Sequence, residues 1–123
     1  MTFSRLPDHL ERMLAAAQQA LSYVDGFGKP DFIEDKRTQQ AVVLNLILIG
    51  EEATKVLVAY PDFAHANAHI PWRSMKGMRN RIAHGYFEIN LDTVWDTVQQ
   101  ALPALVDQLQ ILQKNVDESG PPV

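Results

Sequence analysis

The stretch Leu91–Val116, LDTVWDTVQQALPALVDQLQILQKNV, decides the fold. Leu91, Val94, Trp95, Val98, Leu102, Leu105, Leu109, Leu112 and Val116 form one apolar stripe stepping mainly by three and four residues. That is the period of a helix face and not of a strand. A helix from about Asp92 to Val116 is predicted. Pro103 lies inside it, where it removes a backbone donor and crowds the preceding turn, so a kink or an unpaired carbonyl is expected there.

The same period continues upstream. Asp8–Phe27 carries Leu10, Met13, Leu14, Ala17, Leu21 and Val24 on one face, with Pro7 suited to a first turn. Gly26, Gly28 and Pro30 then form a loop. A second helix is predicted from Asp31 or Asp35 to Ala59, where Tyr60-Pro61 stops it. Its middle, Ala41–Ile49, is apolar all round, and a single short bundle hardly covers such a segment, so a subunit interface is expected. Asp62–Ile70 shows no period and reads as a loop. A third helix is predicted from Pro71-Trp72 to Gly85, with Gly85 as a left-handed stop. The result is an all-α bundle of four or five helices in one domain, residues 1–116, followed by a disordered tail, 117–123.

Size and composition agree. The chain has 123 residues, 46% hydrophobic and 21% charged. Surface scaling for 13.9 kDa gives about 6,700 Å² folded against about 20,000 Å² unfolded, enough burial for one core. Cysteine is absent, which excludes disulfides and thiolate zinc sites and fits a cytoplasmic protein. Ala41–Ile49 is far shorter than the roughly 20 apolar residues of a membrane span, and the N-terminus lacks a signal-peptide core, so no membrane association is expected.

The formal net charge is −4, which argues against a protein that coats nucleic acid by bulk electrostatics. Between Asp62 and Glu88, however, there is no acidic residue, while Arg73, Lys76, Arg79, Arg81, His65, His69 and His84 all fall there. This segment is either a phosphate-binding patch, doubled in a homodimer, or a solvated basic helix face. Within it, Asn80 and His84 are four residues apart and share a helix face, and Arg81 adjoins them. Arg79 is five residues from His84, about 140° round an ideal helix, and converges only through its long side chain or an unwound end. Arginine forks match phosphate oxygens, and an imidazole both takes and gives protons near neutral pH. By spacing alone the signal is weak, and an exposed helix end without a role is the commoner case.

The segment Met78–Phe87, MRNRIAHGYF, resembles the signature of the HepT-like toxins of the HEPN superfamily: an arginine, four residues, a histidine, one residue and a tyrosine. Arg79, His84 and Tyr86 fit it in register, and Asn80 is the polar residue that often follows the arginine. Leu46–Glu51 resembles the family's second helix, Ile70-Pro-Trp72 the approach to its motif helix, and Leu91–Leu105 its final helix, so the resemblance covers most of residues 40–110. It implies a HEPN-like homodimer whose composite cleft joins two motifs. It further implies a toxin that cleaves RNA without metal or other cofactor and a cognate nucleotidyltransferase antitoxin, which in some systems adenylylates (AMPylates) the motif tyrosine. Other relatives have lost cleavage and serve as interaction subunits, which is the alternative reading. Under the first, Arg79 and His84 are the catalytic residues, and Asn80, Arg81, Tyr86, Arg73 and Lys76 hold RNA. Tyr86, past the Gly85 turn at the mouth of the cleft, is also the modification site.

The chemistry of such a site is self-consistent. RNA carries its own nucleophile, the 2′-hydroxyl, so positioning, charge neutralisation and proton transfer suffice. Two His84 side chains across a dimer divide the acid and base roles. His65 and His69 have a metal-like spacing but lack a third ligand, so no metal site is assigned. Glu51 reads as a buried partner of a motif arginine or as a structural ion pair. Trp72 and Trp95 read as core anchors.

Overall fold

The computed structural model describes residues 5–118, and among them there is no strand. The helices are α1 (Leu6–Tyr23), α2 (Lys29–Glu34), α3 (Lys36–Ala59), α4 (Pro61–Ala66), α5 (Trp72–His84), α6 (Leu91–Asp96) and α7 (Leu102–Glu118), with a 3-10 turn at Tyr86–Glu88 and a π-turn at Thr97–Ala101. Because α6, the π-turn and α7 run on as one helix, the architecture is four long helical units and two short helices. This is the all-α bundle expected. No helix among the described residues is long and apolar enough to cross a membrane.

The central element is α3, which packs between α1 and α5, while α7 lies against α1. Local chemistry sets the ends. Asp8 accepts the Arg5 N–H at 3.0 Å and Asp31 accepts the Gly28 N–H at 2.7 Å, so each helix start satisfies an orphan donor. Asp35 caps α3 by accepting from the Thr38 N–H at 3.2 Å and the Thr38 hydroxyl at 2.9 Å. That cap selects the later of the two expected starts for the long helix, and the residues before it form the separate short helix α2. The core joins Leu10, Met13, Phe32, Val42, Ile49, Val56, Val98 and Leu109, and each large side chain in it contributes roughly 1.5–3 kcal/mol of burial. Phe32 lies against Trp95 with ring centroids 5.4 Å apart, tying α2 to α6.

Three local expectations change, and a fourth feature, at Pro103, takes a specific form. The first helix ends at Tyr23, and Gly26, with φ of 77°, makes the left-handed turn after it. The presumed loop 62–70 begins as α4, because Pro61 sits at a first helical turn with its missing N–H unneeded. Gly85 stops α5 with an extended φ of −157° and not a left-handed one, since the chain passes straight into the 3-10 turn. At Pro103 the last helix runs on through a π-turn. The proline's steric conflict falls on the carbonyl four residues back, at Gln99, inside the π-turn, where the Leu102 N–H bonds to the Thr97 carbonyl five residues away and the widened turn gives the ring room. The helix continues to Glu118, and the rest of the expected tail lies outside the described residues.

One polar pair is built into the core. His9 Nδ1 and Glu52 Oε2 are 2.6 Å apart, joining α1 to α3 with both residues buried. Arg12 and Lys55 approach Glu52 Oε1 from the rim at 3.7 and 3.5 Å, and the Tyr60 ring meets His9 edge-on.

Candidate functional site

The side chains of interest ride on α5, so the seating of α5 comes first. Trp72 and Ile82 are buried near its two ends, and the Trp72 indole donates to the Asn67 carbonyl at 3.1 Å. Midway, Gly50 of α3 lets the two helices touch. A Cβ there would run into Cβ of Arg79 and come within 2.7 Å of the Met75 carbonyl oxygen. Only a residue without a side chain permits this approach.

The seating divides the basic residues by direction. Arg79 is turned to α3: its guanidinium lies 3.8 Å from Glu51 Oε1 and donates to Asn80 Oδ1 at 2.9 Å. The Glu51 side chain is 44% exposed, so it is a rim partner of the arginine and not a buried one. The buried carboxylate of α3 is its neighbour Glu52, which sequence reasoning passed over along with His9. Arg73, Lys76, Asn80 and His84 recur at three- and four-residue steps and so share one stripe along α5, turned away from Arg79 round the helix, with Arg81 flanking. Arg73, Lys76, Arg81 and His84 are exposed.

His84 is the last residue of α5 and opens onto a cleft of about 550 Å³ formed with the 3-10 turn and α6. Asn80, Arg81, His84, Glu88, Asn90 and Thr93 supply its polar wall, and Met78, Ile82, Ile89 and Val94 its apolar one. The Asn80 carbonyl oxygen is engaged by Arg79, which leaves the amide NH₂ to donate. The structure thus brings Asn80, Arg81 and His84 together on one wall, while Arg79 is not on that wall. Arg73 and Lys76 line a second groove, against α3 and α4, whose lining also includes Asn80. Tyr86 flanks the cleft without lining it; it is 39% exposed, its ring 5.5 Å from that of Phe87, which is 98% exposed. Glu88, Asn90 and Thr93 escaped sequence reasoning because they follow the helix break, where period carries no information. His65 belongs to α4 and His69 to the turn beyond, and among the described residues no group of three histidine, cysteine or acidic side chains could hold a metal ion.

The fold and site together are those of an all-α bundle that gathers an arginine, an amide and an imidazole at the end of its third long helix. The profile described as "Ribonuclease HepT-like" matches residues 13–112, and the chain belongs to that family. It is 33% identical over 107 residues to a "Probable ribonuclease HepT" of Thermococcus cleftensis, covering 87% of this chain and 94% of the relative. Over 107 residues it is 34% identical to a "Putative RNase" of Caldanaerobacter subterraneus subsp. tengcongensis, with 86% and 93% covered. A third relative, a "Putative RNase" of Methanocaldococcus jannaschii, is 31% identical over 112 residues, 91% and 87% of the two chains. No solved structure matches the chain.

Proposed function

We propose that this chain is a metal-independent endoribonuclease and the toxin of a cytoplasmic toxin–antitoxin pair, active as a homodimer. The observation that carries the reading is the wall of Asn80, Arg81 and His84 on a cleft open to solvent, in a member of a ribonuclease family. The His84 imidazole is exposed and has no hydrogen-bonded partner among the described residues, so no structural task explains it.

The reaction needs only groups that RNA and this chain supply. One His84 takes the proton of the 2′-hydroxyl as its oxygen attacks the adjacent phosphorus. The bond to the 5′-oxygen breaks, and the second His84 gives that oxygen a proton, leaving a 2′,3′-cyclic phosphate and a 5′-hydroxyl. Arg81 and the Asn80 amide neutralise and orient the phosphate oxygens. Arg79 reaches the phosphate from the α3 side, which places it between two motifs when a second chain packs there. Leu44 and Leu48, 55% and 43% exposed, stand on the α3 face that continues to Glu51, so a copy seated on them lies beside Arg79.

The cognate partner in this reading is a nucleotidyltransferase antitoxin. In this reading adenylylation of Tyr86, one residue past the cleft-lining Gly85, adds a phosphodiester whose negative charge pairs with the motif arginines Arg79 and Arg81 and crowds the way into the cleft. A second reading, a non-cleaving subunit that binds such a partner, draws support from Phe87, since a fully exposed aromatic ring suits a protein interface.

The deciding experiment is incubation of the purified chain with cellular RNA in chelator, with His84→Ala in parallel. Cleavage is expected in the wild type and at least about 100-fold less in the variant, in line with the usual worth of a general acid–base. Thermal stability should stay unchanged, because His84 is exposed. Cleavage that survives His84→Ala, or that chelator alone abolishes, refutes the assignment. A wild type that never cleaves leaves the second reading.

A further inference from the structure

The groove on the other side of Asn80 has no place in the cleavage chemistry. It measures about 660 Å³ and runs between α5 and the junction of α3 with α4. One wall carries Arg73 and Lys76 from α5, with His65 facing from α4. Neither Arg73 nor Lys76 is paired with a carboxylate among the described residues, and none of the groove's lining residues is acidic. The other wall is apolar: Leu57, Val58 and Pro61, with Val58 76% exposed. Cations on one side and exposed apolar surface on the other are the two requirements of a single-stranded nucleic acid, whose phosphates and bases face opposite ways.

The groove and the cleft meet at Asn80. Asn80 lines both, and Arg73, Lys76, Asn80 and His84 form a single stripe along α5. Lys76 and His84 are eight residues apart, about 12 Å along the helix axis. That distance is roughly three nucleotides of a stacked strand.

We infer that this groove is a substrate subsite that holds single-stranded RNA flanking the scissile phosphate, three or so nucleotides away from His84, and so makes the enzyme prefer long unpaired substrates over short ones. The inference rests on the ribonuclease reading above but is tested apart from it. Phosphates bind Arg73 and Lys76, and the bases lie on Val58 and Pro61. Duplex RNA is excluded because its bases are stacked inward and cannot reach the apolar wall.

The test uses fluorescence anisotropy of the full chain carrying His84→Ala, with a labelled unpaired RNA octamer and a dinucleotide. The octamer should bind at least about tenfold tighter than the dinucleotide. Adding Arg73→Gln and Lys76→Gln should collapse that advantage and lower the slope of log affinity against log salt by about 1.4, two phosphate contacts on a single strand. Val58→Asp, an exposed change that threatens no core, should also erode the advantage for the octamer. The subsite is overturned if the octamer has no advantage, if the advantage survives loss of both cations, or if both ligands weaken equally. Cleavage by the wild type separates the two ideas. A chain that binds by length yet cuts no RNA loses the ribonuclease reading and keeps the subsite, and one that cuts without a length preference does the reverse.

Discussion

The close approach of α3 and α5 at Gly50 yields a prediction whose sign is unusual for a helical glycine. Gly→Ala inside a helix ordinarily gains about 1 kcal/mol of propensity. At Gly50 the new methyl group would collide with Cβ of Arg79 and lie 2.7 Å from the Met75 carbonyl oxygen. Neither obstacle is the free end of a flexible side chain, so α5 as a whole must move. Overpacking of this kind costs roughly 1–3 kcal/mol, which leaves a net loss of up to about 2 kcal/mol after the propensity gain. In a domain of this size that is a fall in Tm of several degrees. The functional cost is larger, since Arg79, Asn80 and His84 ride on α5 and a displacement of about 1 Å at a reacting centre can cost about 100-fold in rate. Gly77 supplies the internal control. A Cβ there would meet only the tip of Arg81, at 3.4 Å, so Gly77→Ala should stabilise the chain by most of the propensity gain. Thermal denaturation of both variants, with RNA cleavage rates alongside, checks the reasoning. If Gly50→Ala proves as stable as Gly77→Ala and keeps full cleavage, the helices are not held at van der Waals limit and the seating of Arg79 has another cause.

Three further outcomes are expected. Glu52→Ala leaves His9 Nδ1 buried without its partner and should cost about 1–3 kcal/mol in urea denaturation, and the His9→Ala, Glu52→Ala double variant should cost less than the sum of the two single losses. Asp35 is held below the usual carboxylate range first by the Thr38 hydroxyl and then by the Thr38 N–H. Its folded value therefore lies below its unfolded one, and its contribution is complete above the unfolded value and lost as pH falls through the folded value. The stability gap between wild type and Asp35→Ala should be present at neutral pH and close in acid, and a gap independent of pH would count against the cap. Leu48→Asp, at an exposed position of α3, should convert a dimer seen by light scattering at micromolar concentration into a monomer while the helical signal stays intact.

Much of the bundle was legible because burial in helices has a period. The stripe from Leu91 to Val116, the α1 face and the long α3 segment each announce a helix whatever lies next to them. What escaped has a common cause: it depends on groups distant in sequence. The π-turn ahead of Pro103 widens the turn that holds Gln99, and nothing in the local period announces it. Glu51 and Glu52 are adjacent and chemically identical, yet one faces Arg79 at the rim and the other His9 in the core, and only the packing of α3 between α1 and α5 separates them.

The site shows the same division. The spacing of Asn80 and His84 places them on one face, and the structure gives them one cleft. The five-residue spacing of Arg79 and His84 sets them about 140° apart on a helix, and the structure leaves Arg79 on the α3 side, held toward Glu51 by the contact at Gly50. Unwinding cannot reconcile them, because α5 stays helical through His84. For both to address one phosphate, a second copy must supply the missing side. The exposed Leu44 and Leu48, on the face leading to Glu51, are the surface on which that copy would sit. Glu51 then becomes more than a partner: at 3.8 Å it holds the guanidinium loosely enough for a phosphate, which accepts two parallel hydrogen bonds, to take it over.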